Sequence, residues 1–186
     1  LCYLDAGCRS FYSVKKPINA PEDLRGLKVR TQESATSIQM IQAMGGSATP
    51  IAWGELYTAL QQGIVDAAEN NPPSFYLSHH HEVAKYFALD EHTAVPDILL
   101  ISTKVWNDLP PQVQEWLQSA ADEAAIYQRE LWKIATQEAL EEVQKAGVVV
   151  SYPDKRPFQE KVKDIYESYR SDPEIYELIQ RIRAVQ

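Results

Sequence analysis

Arg30 ends a short apolar run, Leu27-Lys28-Val29-Arg30, and its side chain can do specific work there. A guanidinium presents two parallel donors to the two oxygens of a carboxylate. Each such charged hydrogen bond contributes about 1.5–3 kcal/mol. A second polar group follows the run Ile64-Val65-Asp66-Ala67-Ala68: the turn Glu69-Asn70-Asn71-Pro72-Pro73, whose amides can both donate and accept. His79-His80-His81 suggests a metal ion. Consecutive helical residues point about 100° apart, however, so three in a row do not converge on one ion, and a solvated helix start is the better reading. No metal and no cofactor is expected. Cys2 and Cys8 lie about 20 Å apart in an extended segment and read as unpaired small hydrophobes. There is no nucleophile elbow, phosphate loop or spaced set of metal ligands, so the pattern argues against an enzyme.

The elements that must position these groups alternate. Leu1 to Leu4 reads as a strand, Leu27 to Arg30 as another, and a helix over Ser34–Met44 carries Ile38, Ile41 and Met44 on one stripe before Gly45-Gly46 stops it. Ala48 to Ile51 is the next strand, Trp53–Gln62 the next helix, with Gly63 as its stop, and Ile64–Ala68 the strand after that. This βαβαβ rhythm predicts an α/β fold with a parallel sheet. Ligands gather at the carboxyl ends of such strands, which is where Arg30 and the Glu69-Asn70-Asn71 turn fall. A helix is expected over Ser78–Tyr86, then a strand over Asp97–Ser102 buried on both faces. Asp108 is expected to cap a helix that runs to about Ala146, roughly 50 Å long, enough to brace two lobes. Val148 to Val150 reads as a strand, and Phe158 onward as amphipathic helix.

The 186 residues carry a formal net charge of −8, with 45% hydrophobic and 24% charged residues, an ordinary globular balance. An acidic chain is a poor nucleic-acid partner, yet a few buried arginines can set the local potential of a cleft. No apolar run is long enough to span a bilayer. The chain starts within an apparent strand, without an initiator Met or signal peptide, which suggests a fragment.

Several segments together resemble the solute-binding proteins of TRAP (tripartite ATP-independent periplasmic) transporters. They are Gly7-Cys8-Arg9-Ser10-Phe11-Tyr12, Lys16-Pro17-Ile18, Pro21-Glu22-Asp23-Leu24-Arg25-Gly26-Leu27-Lys28-Val29-Arg30 and the run from Thr49 through Trp53 and Gly63 to Asp66. The similarity covers the later two-thirds of the family's usual length. It implies a two-lobed, Venus-flytrap fold of the type II periplasmic-binding-protein kind, lacking the amino-terminal part of the first lobe. Residues 7–95 would form the second lobe, 96–134 a return to the first that includes the start of the long helix, and 135–186 the second lobe again.

The resemblance also implies a periplasmic solute-binding subunit that captures a small organic acid and hands it to the membrane subunits of the transporter. A ligand-sensing flytrap domain of a receptor is the alternative. Arg30 matches the arginine that holds the ligand carboxylate, and Arg9 a second arginine. Asn70 matches a family asparagine, with Asn71 and Glu69 beside it, and Trp53 an aromatic position lining the cleft that could equally be core. Glu33 and His92 are further candidates, each as readily structural. Ala67-Ala68 stands where the family commonly has Gly-Gln, and the runs Glu69–Phe75 and Asp90–Thr93 lean toward sugar acids such as hexuronates over C4-dicarboxylates. A sheet edge left open by the absent segment is expected to favour dimerisation or strand exchange.

Overall fold

The computed structural model describes residues 1–185. Strand β1 (Cys2–Leu4) leads into β2 (Cys8–Ser13), and a short 3₁₀ turn at Pro21–Leu24 precedes β3 (Lys28–Thr31). Helix α1 (Ala35–Ala43) starts at Ser34, whose hydroxyl accepts from the Ser37 N–H. It ends at Gly45, where φ is +95° and the Gly46 N–H donates back to Ile41 O. Then come β4 (Ser47–Pro50), α2 (Leu56–Gln61), β5 (Ala67–Asn70), α3 (Pro72–Leu77), β6 (Tyr86–Ala94), β7 (Asp97–Leu99) and α4 (Thr103–Asp108). The chain closes with α5 (Pro111–Lys145), β8 (Val149–Ser151), α6 (Arg156–Lys161), α7 (Lys163–Ser168) and α8 (Pro173–Ala184).

Six strands form one sheet in the order β4-β3-β5-β2-β6-β8. β3 runs parallel to β4 and β5, β6 runs parallel to β8, and β2 lies antiparallel between β5 and β6. The expected parallel sheet is therefore a mixed one. Alternation along the strands splits the core in two. Tyr12, Ala68 and Phe87 pack on one face with Leu56, Leu60 and Phe75, and with Val143 of α5. Phe11, Ala67 and Ala88 pack on the other with Val29, Ile41 and Phe158. β1 and β7 pair separately as an antiparallel ribbon.

α5 has 35 residues, about 52 Å of helix. It is buried at Ala121 and Ala125 in the half that meets β1, and again at Ala139 beside α3 and at Val143 in the core on the large sheet. One helix thus ties the ribbon to the main sheet.

Four expectations about elements are corrected. Where a helix was expected over Ser78–Tyr86, α3 has already ended at Leu77, and the span holds a 3₁₀ turn at His80–Glu82 and the first residue of β6. Asn71 caps α3 through the Ser74 N–H, and Pro72-Pro73 supply its first turn, so the helix starts earlier. The strand expected at Ile64–Ala68 begins only at Ala67, because the Ile64 N–H still closes the end of α2 on Ala59 O. Glu69 and Asn70 consequently lie in a buried strand, not a turn. Asp108 ends α4 rather than capping α5, whose N-cap is Pro110. Leu109, preceding a proline, is extended and breaks the helix. Finally, the strand at Asp97 is three residues long and exposed on its apolar side chains, since β1 is its only strand partner among the described residues.

Candidate functional site

A cavity of about 590 Å³ opens where the carboxyl ends of β3 and β5 meet the start of β2. That volume suits a small ligand. Arg30, Arg9, Asn70, Asn71 and Trp53 all line it, as do Gln32, Ser74, Asp97 and Trp132.

Arg30 is buried, at 4% exposure, and its Nε donates to Ile51 O at 2.8 Å. Its guanidinium carbon sits 5.4 Å from the centre of the Trp53 ring. Among the described residues neither terminal nitrogen hydrogen-bonds to protein, and no carboxylate pairs with Arg30. Burial pushes its pKa below the usual guanidinium value, yet arginine keeps its proton in proteins. Arg30 lines the cavity, so its unspent donor groups are placed where an anion could meet them. Trp53 is 40% exposed and stacks edge-on against His80, whose Nδ1 is 2.8 Å from the Tyr12 hydroxyl. Burial, with Arg30 and His81 nearby, drops His80 to about 4, so it is a neutral brace for the tryptophan.

Arg9 is held differently. Its Nε and Nη2 grip the Glu69 carboxylate, Nη2 also reaches Glu69 O at 2.9 Å, and Nη1 donates to Asn70 Oδ1 at 3.0 Å. Asn70 Oδ1 also accepts from the Asn71 N–H, which leaves its amide nitrogen without a protein partner among the described residues. Asn71 has no such spare group: Oδ1 caps α3 and Nδ2 donates to Ala6 O. It shapes the wall more than it offers donors.

Behind Glu69 lies a chain of buried charge. His92 Nε2 is 3.7 Å from Glu69 Oε2, an ion-pair contact rather than a hydrogen bond, and His92 Nδ1 is 2.7 Å from Asp90 Oδ2. The His92 ring stacks on Phe11 at 4.1 Å. Burial disfavours its charged form, but Asp90 and Glu69 outweigh that and raise its pKa to about 9. Burial likewise works against the Glu69 anion; contacts from His92 and Arg9 prevail and hold its pKa below the usual carboxylate range. A bulge makes this possible. Arg9 pairs with Thr93 and Phe11 with Ala88, so residues 89–92 oppose Ser10 alone. Asp90 uses its other oxygen to accept from the Phe11 N–H, and Ser10 Oγ accepts from the Glu91 N–H at a φ of +48°.

The structure therefore gathers five of the seven residues singled out in the sequence. Glu33 is exposed and does not line the cavity, where its neighbour Gln32 does. The His92 side chain is 1% exposed and lies behind Glu69, away from that cavity. Ser74, Gln32, Asp97 and Trp132 went unrecognised. Ser74 follows the Asn-Pro-Pro start of α3 and was legible as a first-turn residue; Trp132 lies 102 positions from Arg30 in sequence, and nothing local signals their meeting. Gly7 shows why the approach is close. Its φ is +67°, and a Cβ there would lie 2.8 Å from Trp132 Nε1.

Residues 1–172 match the model of the bacterial extracellular solute-binding protein family 7. A solute-binding protein of Chromohalobacter salexigens is 38% identical over 188 residues, taking in 100% of this chain and 56% of the relative. The 2,3-diketo-L-gulonate-binding periplasmic protein YiaO of Escherichia coli is 29% identical over 191 residues, 100% of this chain and 58% of its own length. The crystal structure of a TRAP periplasmic solute binding protein from Chromohalobacter salexigens with bound D-glucuronate has a TM-score of 0.95 at 38% identity, covering 100% of this chain and 62% of that one. Another from Sulfitobacter, with bound β-D-galacturonate, has a TM-score of 0.91 at 42% identity, covering 96% and 60%. The chain spans a little over half the length of these relatives. Over that span its α/β fold with a long helix is theirs.

Proposed function

The chain belongs to the bacterial extracellular solute-binding protein family 7, and on that premise we propose that it forms the arginine-bearing wall of an extracytoplasmic solute-binding subunit of a TRAP transporter. The ligand class is a sugar acid of the hexuronate type, delivered to the transporter's membrane subunits without chemical change. The observation that carries the reading is Arg30: a buried guanidinium whose two terminal nitrogens have no hydrogen-bond partner and no carboxylate partner among the described residues, lining a cavity of about 590 Å³. Carboxylate capture by that fork is its natural use. Arg9 and Asn70 are then the groups for the ring hydroxyls, and the Trp53 face the support for the sugar's carbon skeleton. The likeness to structures with bound glucuronate and galacturonate supports a hexuronate over a C4-dicarboxylate.

Residues 7–95 and 135–186 make one lobe in this reading, and 96–134 with β1 contribute to the other; the separate β1–β7 ribbon under the start of α5 supports that division. The ribbon's edges have no strand partner among the described residues, which supports pairing between copies.

Calorimetric titration with D-glucuronate, D-galacturonate, D-glucose and succinate tests the assignment. Hexuronates should bind and glucose should not. Arg30→Ala should weaken hexuronate binding by about a hundredfold or more, the loss of roughly two charged hydrogen bonds. Equal affinity for glucose, or unchanged affinity in Arg30→Ala, would sink it.

A further inference from the structure

We propose that His79, His81 and Glu82 form a binding site for a divalent transition-metal ion of the zinc class, at the rim of the cleft and separate from its ligand groups. One ligand atom from each of the three side chains lies within 4.8 Å of the others. A regular helix would keep neighbouring histidines apart; here His79 is left-handed, with φ +59°. The turn that follows sets His79 and His81 on the same side as Glu82, with the two rings 5.9 Å apart. His80 points elsewhere, onto the Tyr12 hydroxyl, so the site uses two histidines of the three.

Three further observations point to a ligand. His81 is 8% exposed, and its buried Nδ1 has no hydrogen-bond partner among the described residues. The Glu82 carboxylate is already oriented: Oε2 accepts from the Tyr57 hydroxyl at 2.8 Å, while Oε1 lies 3.2 Å from His79 Nδ1. Such an outer partner is what metal-bound carboxylates commonly have. Open space of about 380 Å³, lined by Tyr57, Ser78, His79 and Glu82, adjoins the cluster and leaves room for a water or second ligand.

The donor set suits zinc, which takes imidazole nitrogen and carboxylate oxygen in a tetrahedron, three protein ligands with one open position. Bond lengths near 2.0–2.1 Å require ligand atoms about 3.3 Å apart. His79 and Glu82, with side chains 67% and 51% exposed, have the freedom to close that gap. Ser78 lines both this space and the main cavity, so the bound ion braces the cleft's rim.

The test uses tag-free, chelator-treated protein titrated with zinc chloride by calorimetry, with cobalt(II) absorption as a report of coordination geometry. Wild type should bind one equivalent and give the strong visible band of tetrahedral cobalt. His79→Ala and Glu82→Gln, both at exposed positions that leave folding intact, should each bind at least about tenfold more weakly, and Tyr57→Phe should weaken binding by a smaller factor. The double variant should not bind, while Cys2→Ser/Cys8→Ser should match wild type. No zinc binding at millimolar concentration overturns the site. So does undiminished binding by the double variant, or loss of binding on replacing the cysteines.

Discussion

Replacing Glu69 by glutamine keeps the shape of the side chain and removes one charge from the middle of the row Arg9–Glu69–His92–Asp90. The Glu69 side chain is 4% exposed and receives two donors from Arg9, with His92 Nε2 3.7 Å behind. Breaking a buried pair by removing one partner costs about 3–5 kcal/mol, because the other charge stays buried. The pH dependence carries a second signature. His92 is raised from 6.5 to about 9 in the folded protein, and each pH unit of that gap is worth about 1.4 kcal/mol, so the ring contributes on the order of 3 kcal/mol. Its folded pKa lies above its unfolded one, so this stability is complete below pH 6.5 and is lost as pH rises through about 9. In Glu69→Gln only Asp90 still supports the cation, so the folded pKa falls and the window narrows. Urea unfolding at pH values from 6 to about 9.5, followed by tryptophan fluorescence with the m-value checked for constancy, measures both effects. An NMR titration of His92 gives the pKa directly. Wild-type stability that is flat across that range, or a glutamine variant within about 1 kcal/mol of wild type with the same pH slope, would refute the charge row.

Two further predictions concern packing. Gly7→Ala forces a side chain into a left-handed conformation 2.8 Å from Trp132 Nε1, and should lower stability by about 2 kcal/mol with a shift in tryptophan emission; an unchanged urea midpoint contradicts the close approach. The β1–β7 ribbon, whose outer edges have no strand partner among the described residues and which leaves Ile98, Leu99 and Leu100 exposed, should drive association of the isolated chain as concentration rises, and light scattering that reports only monomer refutes it.

Much of the architecture was legible from local pattern, because local pattern is set by neighbours in sequence. Ser34 and the Gly45-Gly46 pair bounded α1, Gly63 ended α2, and the long apolar stripes announced α5. The end of a strand placed Arg30 at the rim of a sheet. Elements whose residues look like loop were not legible. β6 carries Asp90, Glu91 and His92, three charged or polar residues in a row; the bulge opposite Ser10 turns the buried Asp90 and His92 toward partners on β2 and β5, while the Glu91 carboxylate stays exposed and pairs with Lys155.

Sequence alone thus placed an arginine at the end of a short strand and identified the family whose motifs surround it. Tertiary structure decided which groups join it. The antiparallel entry of β2 between β5 and β6 sets Arg9 beside Asn70, 61 positions away, and α5 brings Trp132 against Gly7. The same structure removed Glu33 from the cavity, moved His92 behind it as a support, and brought His79 and His81 toward Glu82. Strand pairing and a left-handed residue are long-range or conformational choices, made by what the whole core can bury, and no spacing along the chain encodes them.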